Sequence, residues 1–131
     1  MLDRDQAIQS IRIKLPNAKV YDTTQDLERF QNESLRPIAK FQNMILLEIF
    51  KNYIERYKNV YHKYDLSGKT AYIEQAVKKD SKLKNLIRGL FLGHFTADEY
   101  QFYSQNASAV NKRIINLVKE RLSSQIQYFE V

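Results

Sequence analysis

The sequence predicts an all-α protein, a compact bundle of five to seven helices with two of them long. The 131 residues include only three Gly and two Pro, too few for the turns of a many-stranded sandwich or barrel. Apolar side chains recur at intervals of three and four residues, which is the helical period. The length suits one domain, so we expect residues 1–131 to form a single helical unit.

The N-terminal segment predicts a short helix followed by a loop, with residues 1–23 packed on the core. Asp3 and Gln6 have the spacing of a capping box. Pro16 disfavours helical geometry in the residue before it, so the helix should end there. Val20 and Tyr21 are candidates to dock the loop. The apolar stripe of this helix comprises Ala7, Ile8, Ile11 and Leu15.

A second short helix is predicted from about Thr24, with Leu27 and Phe30 on its apolar side. Pro37 then leaves two alternatives. In one, the chain bends near residues 32–35, Ser34 caps a new helix, and the proline stands in its first turn, where no N–H is needed. In the other, one long helix is kinked at the proline.

The next helix is predicted to be long, running to about Tyr61 with a wide apolar face. A turn follows at residues 65–68, where Ser67 is the expected N-cap of a helix extending to about Lys79. Asp80 is the expected cap of the next helix, and Gly93 a C-terminal residue with positive φ. The apolar face of the long helix comprises Ile38, Phe41, Ile45, Leu46, Ile49, Phe50, Tyr53 and Tyr57.

Thr96 and Glu99 form a T-x-x-E capping box, the start of the last helical stretch, from Ala97 to about Tyr128. Residues 104–106 are its expected weak point. Its apolar stripe comprises Val110, Ile114, Leu117, Val118, Leu122 and Ile126.

The charge distribution favours an anionic partner. The formal net charge is +6, and residues 35–96 carry 12 of the 21 basic groups but only 5 of the 15 acidic ones. There is no Cys, which excludes disulfides and thiolate chemistry. The N-terminus lacks the apolar core of a signal peptide, and no apolar run approaches the roughly 20 residues of a spanning helix. We therefore expect a cytoplasmic protein that does not interact with membranes.

One basic, aromatic stretch is a candidate nucleic-acid face. Its tyrosines are spaced by four, four and three residues, which would align them on one side of a helix. Aromatic rings among cations can stack bases and neutralise phosphates, although tyrosines also commonly lie at the edge of a core. A second basic stretch, residues 78–84, extends this surface only if the fold places it alongside. The candidate face comprises Lys51, Tyr53, Arg56, Tyr57, Lys58, Tyr61, Lys63 and Tyr64.

Candidate catalytic groups are few. The chain has two His, His62 and His94, without the spacing of a metal site, and no nucleophile motif, so no metal, cofactor or catalytic residue is predicted. A possible inter-helix pocket for a small molecule or substrate groups His94 with Tyr100, Asn106 and Arg113. A purely structural role for these side chains is the alternative.

Two stretches, FQNESLRPIAKFQNMILLEIF and GHFTADEYQFYSQNASAVNKRIINLVKERLSSQIQYF, resemble a family of short bacterial helical proteins without established activity, some of which carry a glyoxalase label. The resemblance covers most of the chain and implies an all-helical fold. Glyoxalase metal sites use His and Glu ligands on βαβββ modules, whereas this chain has two His and no predicted sheet. No functional residue is therefore carried across.

Three functions follow from these patterns. The leading hypothesis is a non-catalytic binding or scaffolding module, with a homodimer joined through an apolar helix face such as residues 38–61. The alternatives are a nucleic-acid binder acting through the tyrosine-rich face, and a small-molecule binder or enzyme with the inter-helix pocket.

Overall fold

The computed structural model describes residues 3–13 and 25–131, which form helices and no strands. When the continuous rod from Asp26 to Phe41 is counted as one helix, these residues hold seven helices. The prediction of an all-α bundle is therefore confirmed. In chain order the elements are α1 (Arg4–Ile11), α2 (Asp26–Phe30), a π-helical turn (Gln31–Leu35), α3 (Arg36–Phe41), α4 (Asn43–Arg56), a 3-10 turn (Val60–Lys63), α5 (Leu66–Lys79), α6 (Ser81–Leu92), α7 (Ala97–Gln105), α8 (Ala107–Ser124) and a C-terminal 3-10 turn (Ile126–Phe129).

Helix α8 is the centre of the core and packs against α3, α4, α5, α6 and α7. Burial of each large aliphatic side chain in this core contributes about 1.5–3 kcal/mol to the free energy of folding. The other helices therefore pack on the predicted apolar stripe, most of which lies on α8. All six residues of the predicted stripe are buried: Val110, Ile114, Leu117, Val118 and Leu122 on α8, and Ile126 in the C-terminal 3-10 turn.

Three of the predicted helix starts are confirmed by their cap hydrogen bonds. Asp3 and Gln6 form a complete capping box at α1, and Thr96 and Glu99 form another at α7. The Asp80 carboxylate caps α6 by accepting from the Leu83 N–H at 3.1 Å. Each cap satisfies backbone donors that the first turn of a helix leaves without an internal partner.

Pro37 stands in the first turn of α3, as one alternative predicts, but the predicted break and Ser34 cap before it are wrong. The other alternative, a kink at the proline, stays a prediction. The rod continues through a π-helical turn in which the Arg36 N–H donates to the Gln31 carbonyl. The wider turn accommodates the missing N–H and the ring of Pro37 without ending the helix. Ser34, the expected N-cap, is buried in this turn at 5% exposure.

Helix α4 ends at Arg56, five residues before the predicted end at Tyr61. Lys58 and Asn59 have left-handed backbone conformations, with φ of 62° and 59°. Asn tolerates this region better than most residues, so Asn59 is a suitable terminator. Tyr61 and the residues around it form a separate 3-10 turn.

Three smaller predictions about helix ends are corrected or refined. Helix α5 begins at Leu66 and is capped by Asp65, not Ser67, because the Asp65 carboxylate accepts from the Gly68 N–H at 2.8 Å. Gly93 has a φ of −62° and needs no positive φ. The C-terminal stretch is interrupted at Asn106, the predicted weak point, and its last helix ends at Ser124.

Leu15, Val20 and Tyr21, for which packing on the core is predicted, lie outside the described residues. Within residues 3–13 and 25–131, no helix has the length and apolar character needed to cross a bilayer.

Two glycines give a matched test of packing. A Cβ added at Gly68 would lie 2.8 Å from the Tyr64 Cβ, whereas one added at Gly89 would meet nothing within 4 Å. We expect Gly68→Ala to reduce the free energy of unfolding by about 1–3 kcal/mol through overpacking. Gly89→Ala, on the exposed side of α6, should increase it by about 0.5–1 kcal/mol because alanine favours the helix. Urea denaturation measures both changes, and a neutral or stabilising Gly68→Ala would contradict the packing described.

Candidate functional site

Helix α1 is fixed to the junction between α6 and α7 by its two arginines. Arg4 donates to the carbonyls of Gly93 and Phe95, at 3.1 and 2.7 Å, and Arg12 donates to the His94 carbonyl at 2.9 Å. These carbonyls belong to residues 93–95, which connect α6 to α7. The guanidinium groups therefore satisfy acceptors that no regular helix pairs. We call this region the α1–α7 junction.

The carboxylate of Glu99 is the centre of this junction, and hydrogen bonds surround it. Arg12 donates to both of its oxygens, at 2.8 and 2.9 Å. The Thr96 N–H donates to one oxygen at 2.8 Å, and the Ser34 hydroxyl donates to the other. The side chains of Arg12 and Glu99 are only 12% and 14% exposed. Four donors occupy the acceptor sites of the carboxylate, so it is bound as a structural anion and is not free to act as a base.

Two opposing effects determine the pKa of Glu99. Burial alone raises this pKa, but the hydrogen bonds from Arg12, Ser34 and Thr96 and the charge of Arg12 outweigh burial and lower it below its ordinary value of 4.5. The carboxylate is therefore ionised wherever the protein is folded near neutral pH. The ionised carboxylate can accept hydrogen bonds from all four donors, two of which belong to Arg12.

His94 lies at the edge of the same junction. Its Nε2 is 2.6 Å from the amide nitrogen of Gln42, and its ring centroid is 5.4 Å from that of Phe41. An amide N–H can donate to Nε2 only when that nitrogen is unprotonated. Burial, followed by the charges of Arg12 and Arg4, lowers the pKa of His94 below its ordinary value of 6.5. The neutral imidazole is the form that this environment favours.

The four residues of the predicted pocket do not make a common network. Among the described residues, no hydrogen bond or ring contact joins any two of His94, Tyr100, Asn106 and Arg113. Asn106 donates to the Phe102 carbonyl at 2.9 Å within its own helix. Arg113 donates to Gln31 at 2.8 Å, on the side of the bundle where α8 meets the π-helical turn. Tyr100 is 52% exposed.

The predicted tyrosine-rich face is divided by the end of α4. Tyr61 is 1% exposed and belongs to the interior, where its ring contacts Phe50 and Phe129. Burial, then the charge of Glu130, raises its pKa to about 12. Tyr57 and Tyr64 remain about half exposed, at 49% and 46%. The basic residues of the predicted face all remain exposed: Lys51, Arg56, Lys58 and Lys63.

Tyr53 is half-buried and joins α4 to the start of α6. Its hydroxyl donates to the Asp80 carboxylate at 3.1 Å, and the Tyr57 hydroxyl donates to the same oxygen at 3.3 Å. Burial, then the hydrogen bond to Asp80, raises the pKa of Tyr53. The hydroxyl is therefore a fixed donor and not a nucleophile at physiological pH.

An apolar groove of about 450 Å³ lies between α4 and α6. Its floor includes Ile49 and Leu83, and its edges include Ile45 and Leu86, which are 48% and 52% exposed. Phe41, four positions before Ile45, is also 45% exposed. We call this feature the α4–α6 groove. Large apolar side chains exposed together are unusual on a surface with no binding role.

The rim of the α4–α6 groove carries both signs of charge. Glu48 and Asp80 supply carboxylates, and Arg56 and Lys82 supply cations. The Glu48 carboxylate accepts from the Tyr128 hydroxyl at 2.7 Å. Neither Arg56 nor Lys82 makes an ion pair or side-chain hydrogen bond with any described residue.

Within residues 3–13 and 25–131, no three His, Asp or Glu side chains are grouped in a way that could hold a metal ion. Comparison with protein families, with curated proteins and with solved structures gives no match. The fold therefore defines the chain only as an all-α helical bundle. The resemblance to short bacterial helical proteins stays a prediction.

Sequence reasoning found one component of the α1–α7 junction, the capping box of Thr96 and Glu99. It missed the partners of Glu99, because Ser34 and Arg12 lie 65 and 87 positions away in the chain. No local spacing signals contacts over such separations.

Replacing the junction carboxylate tests its structural role. We expect Glu99→Gln to reduce the free energy of unfolding by about 2–4 kcal/mol, because an amide NH₂ would face donors and Arg12 would lose its counter-charge. The matched control is Glu55→Gln, an exposed residue of α4, which should change it by less than about 0.5 kcal/mol. Urea denaturation with an unchanged slope measures the difference. Equal stability of the two variants would contradict the role of Glu99.

The lowered pKa of His94 predicts a pH dependence. A histidine with a folded-state pKa below its ordinary 6.5 contributes stability that is complete above that value and is lost as the pH falls. We expect the unfolding free energy of the wild type to fall more steeply than that of His94→Gln between about pH 6.5 and 4.5, while the contribution of Glu99 is common to both proteins. Unfolding curves at a series of pH values measure the two slopes. Parallel slopes would contradict the prediction.

Proposed function

We propose that this protein is a non-catalytic binding module that self-associates through the α4–α6 groove as a homodimer. The observation that carries the proposal is the pair of half-exposed side chains, Ile45 and Leu86, on the edges of an apolar groove. Covering them removes apolar surface from water, which is the main driving force of association. A cytoplasmic location belongs to the same proposal.

The mixed charge of the rim supports a second copy of the chain as the occupant. In a two-fold interface the same patch meets itself, so every group on the rim must find its partner within the same set. Here the cations Arg56 and Lys82 can face the carboxylates Glu48 and Asp80 of the other copy. Such complementarity favours pairing at this face over the strongly basic surfaces of a chain with a net charge of +6.

The surroundings of the titratable groups support a binding role over a catalytic one. The Glu99 carboxylate is occupied by four donors, and the neutral His94 accepts from an amide. A general base needs a free lone pair directed at a substrate. Neither group has one in this arrangement.

Introducing a charge into the groove tests the dimer. We expect Ile45→Glu to weaken the dimer at least about 100-fold, because each interface would contain the charge twice at a desolvated position. The matched control is Leu66→Glu, since Leu66 is 68% exposed on α5 and lies outside the groove. It should leave the dimer unchanged.

Analytical ultracentrifugation over a range of micromolar concentrations measures both dissociation constants. A wild-type protein that stays monomeric at the highest concentration would refute self-association. Equal effects of the two substitutions would refute the groove as its site.

A further inference from the structure

A second groove, about 690 Å³ in volume, lies where α5, α6 and α8 meet and is lined by cations. Lys78 comes from the last turn of α5, Lys84 and Arg88 from α6, and Lys112 from α8. No carboxylate of the described residues lines it; its other polar groups include Ser108 and Asn116. We call it the basic groove. It includes Lys78 and Lys84, the two ends of the basic stretch 78–84. The fold places Lys112 of α8 in the same groove.

Three of the four cations have no partner among residues 3–13 and 25–131. Lys78 is paired with Glu74 at 2.9 Å. Lys84, Arg88 and Lys112, in contrast, make no hydrogen bond, ion pair or ring contact with any described side chain. Like charges gathered around one concave surface repel each other and raise the local concentration of anions.

Arg88 is the cation of the groove that its surroundings satisfy least. Its Nε is shielded from solvent and has no hydrogen-bond partner in the part of the chain that the structure describes. A buried donor without an acceptor is unfavourable, and in a charged group more so, because the charge has also lost water. An anion in the groove would provide the counter-charge that the fold does not.

We propose that the basic groove binds the phosphate groups of a polyanionic ligand. A phosphate carries more charge than a carboxylate and offers several acceptor oxygens, which suits three free cations together with hydroxyl and amide donors. Arg88 supplies a planar fork for two oxygens, and the two lysines supply point charges. Phosphates of this kind occur in free nucleotides and in a nucleic-acid backbone. The inference goes beyond the proposed dimer and concerns a different face.

Binding by the full chain tests the proposal with three probes: ATP without metal, inorganic tripolyphosphate, and a labelled oligothymidylate of about 12 nucleotides. The double variant Lys84→Gln/Arg88→Gln should weaken the binding of each probe that the wild type binds at least about tenfold. For the oligonucleotide it should also lower the slope of log affinity against log salt by about 1.4, or about 0.7 per lost cation. The control, Arg36→Gln with Lys40→Gln, removes the same charge from exposed positions on α3 and should change affinity less than about twofold.

The probes distinguish the two sources of phosphate. Binding of ATP and tripolyphosphate with no gain for the oligonucleotide supports a small phosphorylated ligand, whereas a much tighter oligonucleotide supports a nucleic-acid backbone. Circular dichroism and thermal unfolding establish that both double variants are folded. The proposal is overturned if no probe binds at low salt, if both double variants lose affinity equally, or if a polyglutamate peptide of matched charge binds as well as the phosphates.

Discussion

The carboxylate of Glu99 joins three segments that are far apart in the chain. It caps its own helix at Thr96, receives the hydroxyl of Ser34 from the π-helical turn, and is held by Arg12 from the end of α1. With an exposed fraction of 14%, this anion would be unfavourable if any donor were missing. The π-helical turn, the position of α1 and the start of α7 therefore depend on one another.

The two grooves differ in the physical property that would attract a ligand. The α4–α6 groove has an apolar floor and a rim of balanced charge, so it offers surface that gains stability when water is removed. The basic groove offers cations without a counter-charge among the described residues, so its attraction is electrostatic and falls with salt. A protein partner matches the first and a phosphate-bearing ligand matches the second.

Local sequence signals predicted the parts of the fold that depend on local contacts. The caps at Asp3, Asp80 and Thr96 and the apolar stripe of α8 were found because their residues lie within a few turns of each other. The early end of α4 was missed because the left-handed conformation of Lys58 depends on tertiary context and not on the residue type. Only one part of each candidate surface was predicted, residues 38–61 for the apolar one and residues 78–84 for the basic one, and the rest was missed for a related reason. Leu86 and Ile45, or Arg88 and Lys112, become neighbours only once the helices have packed.

Helix α6 forms a wall of both grooves. Leu86 is separated from Lys84 and from Arg88 by two positions, or about 200° of rotation, so the apolar and cationic side chains project from opposite sides of one rod. Because a packed helix moves as a unit, a ligand that displaces α6 on one side changes the shape offered on the other. Thermodynamic linkage makes any such effect reciprocal: a phosphate ligand that favours the dimer must itself bind the dimer more tightly, and by the same factor.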